Sequence, residues 1–264
     1  MRDHRVRELE LNYAKGWSGA DYAFLAEWTA LEALEITDWN AQDVSAVNAL
    51  HELRKLKVFT YCKTEIRFAD LPRLEECSLE WRPKASSIFD HRGIKKLFVN
   101  KCPERDLRRF STMAQLESLS LASPRLESLE GAGLPLLTFL GVYAAPRLTS
   151  LRGLETATHL RSLEVNDCRK IGAIEPIGAL VGLRNLQLCN DGRIETLAPL
   201  AGLKELETFL FYESTDVADG DLTVLKTLPK LHHVVFMDRR HYSDRQSSFP
   251  RRDARGVAEP SGEP

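Results

Sequence analysis

Apolar residues recur along the chain in a frame of the form L-x-x-L-x-[LIVF], with conservative replacements. An internal period is tested first, because it decides how every other pattern is interpreted. The frame fits eleven segments, and from the second segment onward the mean step is about 22 residues. The segments begin at Val6, Leu31, Leu53, Leu74, Ile94, Leu116, Leu137, Leu160, Leu183, Leu206 and Leu231.

Each repeat has two halves with different periods. In the segment LRSLEV, Leu163 and Val165 alternate with polar neighbours, which is typical of a strand with one buried and one solvated face. The following stretch IGAIEPIGALVG spaces its apolar residues more widely, which predicts a return segment made of a short helix or 3₁₀ turn. One repeat cannot bury both halves alone, so we expect neighbouring repeats to stack.

This pattern resembles the leucine-rich-repeat family over residues 6 to about 238, and repeats eight and nine are most similar to the short internalin-type unit. The resemblance implies an α/β repeat fold. We expect a leucine-rich-repeat solenoid (horseshoe) with a parallel concave β-sheet of about eleven strands and an irregular or short-helical convex side. The family usually carries Asn or Cys at the ninth position. Only Cys102 and Cys168 conform here, so we expect irregular turns. Residues 83–93 lack a clear leucine pattern in the second half of their repeat, and we expect a loop there.

The ends of the chain differ from the middle, which predicts three segments. Residues 1–30 hold the first repeat and a capping segment, in which residues 18–30 have helix-like apolar spacing after Ser18 and Asp21. Residues 31–238 hold the remaining repeats. Residues 239–264 lack the apolar frame, and we expect a basic, mostly disordered tail, with a short cap over 239–242 as the alternative.

Composition and charge narrow the class of protein. The chain has 264 residues, is 43% hydrophobic and carries a net charge of -2, so the overall charge favours neither nucleic acid nor an anionic membrane. No apolar stretch is long enough for a membrane helix, and residues 1–20 contain no signal-like apolar run. Five cysteines at irregular spacings do not predict disulfides. We therefore expect a cytoplasmic protein.

The sequence contains no motif that predicts catalysis. A phosphate-binding G-x-x-x-x-G-K-[ST] loop, a G-x-G-x-x-G turn and a G-x-S-x-G elbow are all missing, and the cysteines are too far apart to indicate a zinc site. We expect no enzyme activity, cofactor or metal. The alternative is an enzyme, or a substrate-presenting subunit, acting near Cys189, His233 and Asp238.

The outward strand positions are the candidate binding site, since the resemblance implies that partners bind on the concave face. We predict a non-catalytic module that binds another protein, with aromatic anchors and charged flanking residues. The alternative for the charged residues is ion pairing between strands. For Leu210, Tyr212, His233 and Met237, which we call the C-terminal group, the alternative is that the C-terminal tail covers them. The predicted residues are Phe59, Trp81, Phe98, Phe139, Tyr143, Lys57, Lys96, Lys101, Leu210, Tyr212, His233 and Met237.

A third hypothesis for the function rests on the arginines near the C-terminus. Residues 239–255 hold six Arg against two Asp, a local charge of +4. Such a segment can contact nucleic acid, although the overall charge makes that partner the less expected one. A secreted effector, exported without a signal peptide, is the remaining alternative.

Overall fold

A computed structural model of the chain describes residues 6–19 and 21–249. The described residues divide into two compact units: those up to residue 102 and residues 109–121 form unit 1, and residues 103–108 and those from 122 onward form unit 2. In the described residues no helix is long and apolar enough to cross a membrane.

Strands form where the repeat frame predicts them. The strands of unit 1 are β1 (Glu8–Asn12), β2 (Ala33–Thr37), β3 (Lys55–Phe59), β4 (Glu76–Glu80), β5 (Lys96–Asn100) and β6 (Ser118–Ala122), whose last residue belongs to unit 2. Unit 2 contains β7 (Phe139–Tyr143), β8 (Ser162–Asn166), β9 (Asn185–Cys189), β10 (Arg193–Ile194), β11 (Thr208–Phe211), β12 (Asp216–Val217) and β13 (His233–Phe236).

The predicted fold class is confirmed. Strands β1 to β9, β11 and β13 are the eleven strands of the parallel sheet, and β10 and β12 form a separate two-residue ladder. Neighbouring strands pair in register: Leu34 lies opposite Leu56, and Leu163 opposite Leu186. The period of two therefore lines up the apolar residues of successive repeats into one buried face, because identical frames pair without a shift.

Most return segments contain a 3₁₀ helix, whereas the segment between β6 and β7 has only turns, and the described residues contain no α-helix. The longest spans Pro83–Asp90 and buries Ala85, Ile88 and Phe89, so the loop expected over residues 83–93 was wrong. The others are Tyr13–Lys15, Ala23–Glu27, Ser45–Ala49, Phe68–Asp70, Arg108–Thr112, Leu154–Thr156, Glu175–Ala179, Ala198–Gly202, Thr223–Thr227 and Gln246–Ser248.

Turns after several strands share one backbone conformation. Lys101, Ala144, Asp167 and Asn190 all have φ between 48° and 60°, and the ninth-position residue that follows each of them is buried. In unit 2, Asp191 takes over the role of the family's Asn: its Oδ1 accepts the Cys168 amide at 2.8 Å. The expectation of irregular turns therefore fails in these repeats, because a carboxylate or a small apolar residue can fill the same place.

Tyr22 anchors the N-terminal segment. It is buried, donates its hydroxyl to Asp38 Oδ2 at 2.7 Å and accepts the indole N–H of Trp17 at 2.9 Å. Asp21 caps the backbone N–H of Ala23, as the sequence predicted for this residue. The helix-like spacing of residues 18–30 thus produces a 3₁₀ turn, Ala23–Glu27, rather than a longer helix.

Residues 239–249 are folded, although the sequence predicted a mostly disordered tail from residue 239. Tyr242 is buried, and its hydroxyl accepts the Val217 amide at 3.0 Å. Phe249 packs edge-on against Phe236, with ring centroids 5.6 Å apart. Gln246 binds both polar backbone groups on the outer edge of β13. The apolar surface left by the last repeat is therefore covered by three residues that lie outside the repeat frame; residues 250–264 lie outside the described part of the chain.

Candidate binding surfaces

The outward face of β2 to β5 in unit 1 is a ladder of ion pairs. Lys57 Nζ lies 2.7 Å from Glu35 Oε1, and Glu76 is shared by Lys55 at 3.5 Å and Lys96 at 2.9 Å. The hydrogen bond from Lys96 holds the pKa of Glu76 below its usual range. The predicted binding residues Lys57 and Lys96 therefore have partners within the chain. This agrees with the alternative stated for the charged residues, ion pairing between strands.

Two predicted aromatic anchors meet on this face. The rings of Phe59 in β3 and Phe98 in β5 are 6.0 Å apart across β4, and both are partly exposed. Ser78 lies opposite Phe98 in β4, and its small side chain leaves room for the two rings to approach. Lys57 Nζ lies 5.6 Å from the centroid of Phe59. The arrangement is an apolar patch bordered by charges.

Trp81 does not join this patch. It follows β4, is partly exposed and packs on Phe89, with ring centroids 5.5 Å apart. It lines a pocket of about 420 Å³ at the carboxyl ends of β3 and β4. The pocket is lined by Thr60, Tyr61, Cys62, Lys63, Glu80, Trp81, Arg82, Pro83, Lys84 and Lys101.

Arg82 is the unusual side chain of this pocket. It is only 5% exposed, and its Nη1 donates to the carbonyl of Cys62 at 3.2 Å. Its Nε and Nη2 are buried and have no hydrogen-bond partner among the described residues. Burial lowers the pKa of this guanidinium, because the charged form loses its hydration. We refer to Nε and Nη2 together as the open edge of Arg82.

The carboxylate nearest in sequence to Arg82, Glu80, is already occupied. Its Oε2 accepts Asn100 Nδ2 at 2.6 Å, and its Oε1 lies 2.7 Å from Lys101 Nζ. Lys101, a predicted binding residue, therefore neutralises Glu80. Hydrogen bonding to Glu80 also raises the pKa of Lys101.

Sequence reasoning missed two aromatic residues near this pocket. Tyr61 is 63% exposed and stacks on Trp39 with centroids 4.7 Å apart, while Lys101 lies 5.1 Å above the Tyr61 ring. Both aromatic residues occupy the ninth repeat position, which the sequence analysis treated as part of a turn. Large aromatic residues at a position that normally holds Asn or Cys were the available signal.

In unit 2 the predicted residues Phe139 and Tyr143 lie in β7 and are partly exposed. The Tyr143 hydroxyl donates to Glu164 Oε2 at 2.5 Å. Its ring covers Gly141 so closely that a Cβ atom there would lie 2.6 Å from the hydroxyl oxygen. Tyr143 is therefore held against the strand face.

Tyr242 does not cover the C-terminal group, although cover by the tail was the structural alternative for these residues. Tyr242 packs against Phe211 and Phe236, which point into the core. Leu210 pairs with Val235 on the opposite strand face, and Met237 is 52% exposed. Tyr212 and His233 are partly exposed as well.

The residues of the enzyme alternative do not form an activated thiol. Cys189 is only 4% exposed, and burial raises its pKa. A nucleophilic cysteine requires the opposite shift. Asp238 accepts the backbone N–H of Gln246 at 2.7 Å and so belongs to the C-terminal cap. Within the described residues, no three His, Cys, Asp or Glu side chains are grouped as metal ligands.

Comparison with solved structures agrees with this architecture: the chain has the leucine-rich-repeat fold. It is similar to an internalin (inlF) from Listeria monocytogenes, with 19% identity and a TM-score of 0.59 over 89% of this chain and 83% of that one. It is also similar to internalin C2 from the same organism, with 18% identity and a TM-score of 0.55 over 81% and 84% of the two chains.

A third similar structure is the functional domain of InlJ from Listeria monocytogenes, with 14% identity and a TM-score of 0.59. The match covers 88% of this chain and 49% of that one. No protein-family model matches the chain.

Proposed function

We propose that the protein is a non-catalytic interaction module that binds a partner protein on the outward strand face of unit 1. The observation that carries this proposal is the pair Phe59 and Phe98. Two phenyl rings share a partly exposed patch on a face where most of the other residues are polar. Folding does not require aromatic residues there, whereas aromatic side chains are the usual anchors of protein interfaces.

The charges around the patch favour specificity over affinity. Lys57, Lys96, Glu35 and Glu76 are paired with one another on the surface, so each pair contributes only about 0 to 1 kcal/mol to stability. A partner with complementary charges can exchange these pairs at little cost, which orients it over the rings. Phe139, Tyr143, Leu210, Tyr212, His233 and Met237 stay a prediction for unit 2.

The test compares the double variant Phe59→Ser/Phe98→Ser with the intact chain and with Val181→Ser. Val181 is 63% exposed in a return segment of unit 2 and serves as the matched loss of apolar surface. A partner captured from the native lysate is purified and titrated against all three. We expect the double variant to bind at least about 30-fold more weakly, since the loss of a single anchor residue costs about 2 kcal/mol or more.

Circular dichroism and thermal unfolding verify that the double variant is folded. Equal affinity of the intact chain and the folded double variant would show that the partner binds elsewhere. If Val181→Ser weakened binding as much as the double variant does, the cause would be a general loss of apolar surface. That result would also count against the patch.

We also propose the cytoplasm as the location of this function. None of the five cysteines forms a disulfide, and four of them are at most 4% exposed, with Cys62 at 8%. Free thiols persist in a reducing compartment.

A further inference from the structure

We propose that the pocket around Arg82 binds a phosphate monoester that carries a small aromatic or apolar group. This site is separate from the patch of Phe59 and Phe98, so either proposal can fail without the other. It is built from three features of unit 1: the open edge of Arg82, a surplus of positive charge and an aromatic wall.

The open edge of Arg82 calls for a ligand with two adjacent acceptor oxygens. Nε and Nη2 carry parallel N–H groups on one side of the planar guanidinium, which is the fork that binds carboxylates and phosphates through two hydrogen bonds. A buried charge without a counter-ion costs considerable free energy. Since Nη1 is already bonded to the Cys62 carbonyl, the guanidinium is held in place, while Nε and Nη2 stay buried at the pocket without a partner among the described residues.

The charge of the lining favours a dianion. Four cations line the pocket, and Glu80 is the one carboxylate in the lining, so the sum is +4 and -1, or +3. Lys101 is engaged with Glu80, whereas Lys63 and Lys84 form no ion pair with a described residue. A phosphate monoester carries about two negative charges near neutral pH, and a carboxylate only one.

The walls indicate what the phosphate is attached to. Tyr61 and Trp81 line the same pocket, and a volume of about 420 Å³ exceeds what a phosphate ion alone would fill. A ring placed between these side chains would bury apolar surface while its phosphate reaches Arg82. The ester could be a free small molecule or a phosphorylated tyrosine of a partner protein, since both present the same chemical group.

Isothermal titration calorimetry at constant ionic strength tests the site with phenyl phosphate, benzoate and a short phosphotyrosine peptide. We expect one phenyl phosphate per chain and at least tenfold weaker binding of benzoate. In Arg82→Met, which keeps the bulk of the side chain, phenyl phosphate should bind about 10- to 100-fold more weakly. Arg92→Met removes an exposed arginine of the same unit and should bind like the intact chain.

Thermal unfolding without ligand shows whether Arg82→Met is folded, and we expect an unchanged or higher midpoint because an unpaired buried charge is removed. Phenyl phosphate binding that survives in the folded Arg82→Met variant would overturn the proposal, as would no binding to the intact chain. Benzoate binding as tight as phenyl phosphate would overturn the phosphate assignment. Tighter binding of the peptide than of phenyl phosphate supports a phosphorylated protein as the source, and the reverse order supports a small molecule.

Discussion

Asp191 accepts a buried backbone N–H in the repeat and also makes the free energy of unfolding depend on pH. Its Oδ1 accepts the Cys168 amide, while its Oδ2 is buried without a hydrogen-bond partner among the described residues. Burial raises the pKa of Asp191 to about 8 from an ordinary value of 3.8. The folded protein therefore keeps a proton on this carboxyl that the unfolded chain releases above about pH 4.

The sign of the effect follows from that difference. Between about pH 4 and pH 8 the folded state binds more protons at Asp191 than the unfolded state, so this residue lowers the free energy of unfolding as the pH rises. Asp191→Asn keeps an acceptor oxygen for Cys168 without a charge. We predict that its unfolding midpoint in urea exceeds that of the intact chain at pH 8.5 and that this advantage shrinks at pH 5.

Asp219→Asn is the matched control, because Asp219 is exposed in the same unit and accepts the Asp221 N–H at 3.0 Å, a bond that an Asn oxygen preserves. It should leave the pH dependence of the urea midpoint as it is in the intact chain. If Asp191→Asn and the intact chain gave parallel curves from pH 5 to 8.5, Asp191 would be charged in the folded state over that range and the argument would be wrong.

At the scale of elements, the last strand is protected by a side chain. One edge of β13 pairs with β11. On the other edge, Gln246 Oε1 accepts the Phe236 N–H at 2.5 Å, and Nε2 donates to the Val234 carbonyl at 2.8 Å. An amide side chain thus makes the two hydrogen bonds that a further strand would make, and a bare parallel edge would be open to pairing with another chain.

We predict that Gln246→Leu lowers the free energy of unfolding by about 2 kcal/mol, because it leaves two strand-edge groups without partners. Ser247→Ala, in the same 3₁₀ helix, should change it by less than about 0.5 kcal/mol. Urea unfolding measures both, and size-exclusion chromatography tests whether Gln246→Leu self-associates. A Gln246→Leu variant as stable as Ser247→Ala would show that the packing of Tyr242 and Phe249 alone holds the cap.

The return segments show where the element boundaries could be predicted and where they could not. The apolar spacing of Ala85, Ile88 and Phe89 is visible in the sequence, but the segment, which starts with a proline, lacks the leucine pattern of other return segments, and that absence favoured a loop. The proline begins the 3₁₀ helix instead, since its fixed φ suits a first helical position. Whether such a segment forms a 3₁₀ helix or a loop depends on how it stacks against neighbouring repeats. The local sequence pattern does not contain that contact.

At the scale of the whole molecule, all five thiols belong to the structural framework. Burial raises the pKa of Cys168 to about 12, and it raises the pKa of Cys77 further. These shifts disfavour the reactive thiolate at neutral pH. The pKa of Cys189, the thiol of the enzyme alternative, is shifted in the same direction.

We predict that the folded protein reacts with Ellman's reagent at pH 7.5 at least about 100-fold more slowly than the urea-unfolded chain, in which five equivalents react at once. Cys62, the most exposed of the five, should be the first to react. Cys62→Ser identifies its signal and Cys189→Ser that of Cys189. A burst of one equivalent that disappears in Cys189→Ser would restore the enzyme alternative.

The sequence by itself determined the number of strands in the parallel sheet, their parallel order, and the apolar residues of each strand that point inward. It could do so because a fixed frame repeated eleven times aligns equivalent residues, so Leu163 and Val165 point inward for the same reason as Leu186 and Leu188. It also located the pair Phe59 and Phe98 on the solvated face.

Only the tertiary structure decided how the side chains of different repeats combine. The pairing of Lys101 with Glu80, the stack of Tyr61 on Trp39 and the open edge of Arg82 each depend on residues that are about one repeat apart in sequence and adjacent in space. The capping contacts of Gln246 lie outside the frame altogether. A period defines backbone register, whereas charge neutralisation and hydrogen bonding depend on distances that only packing sets.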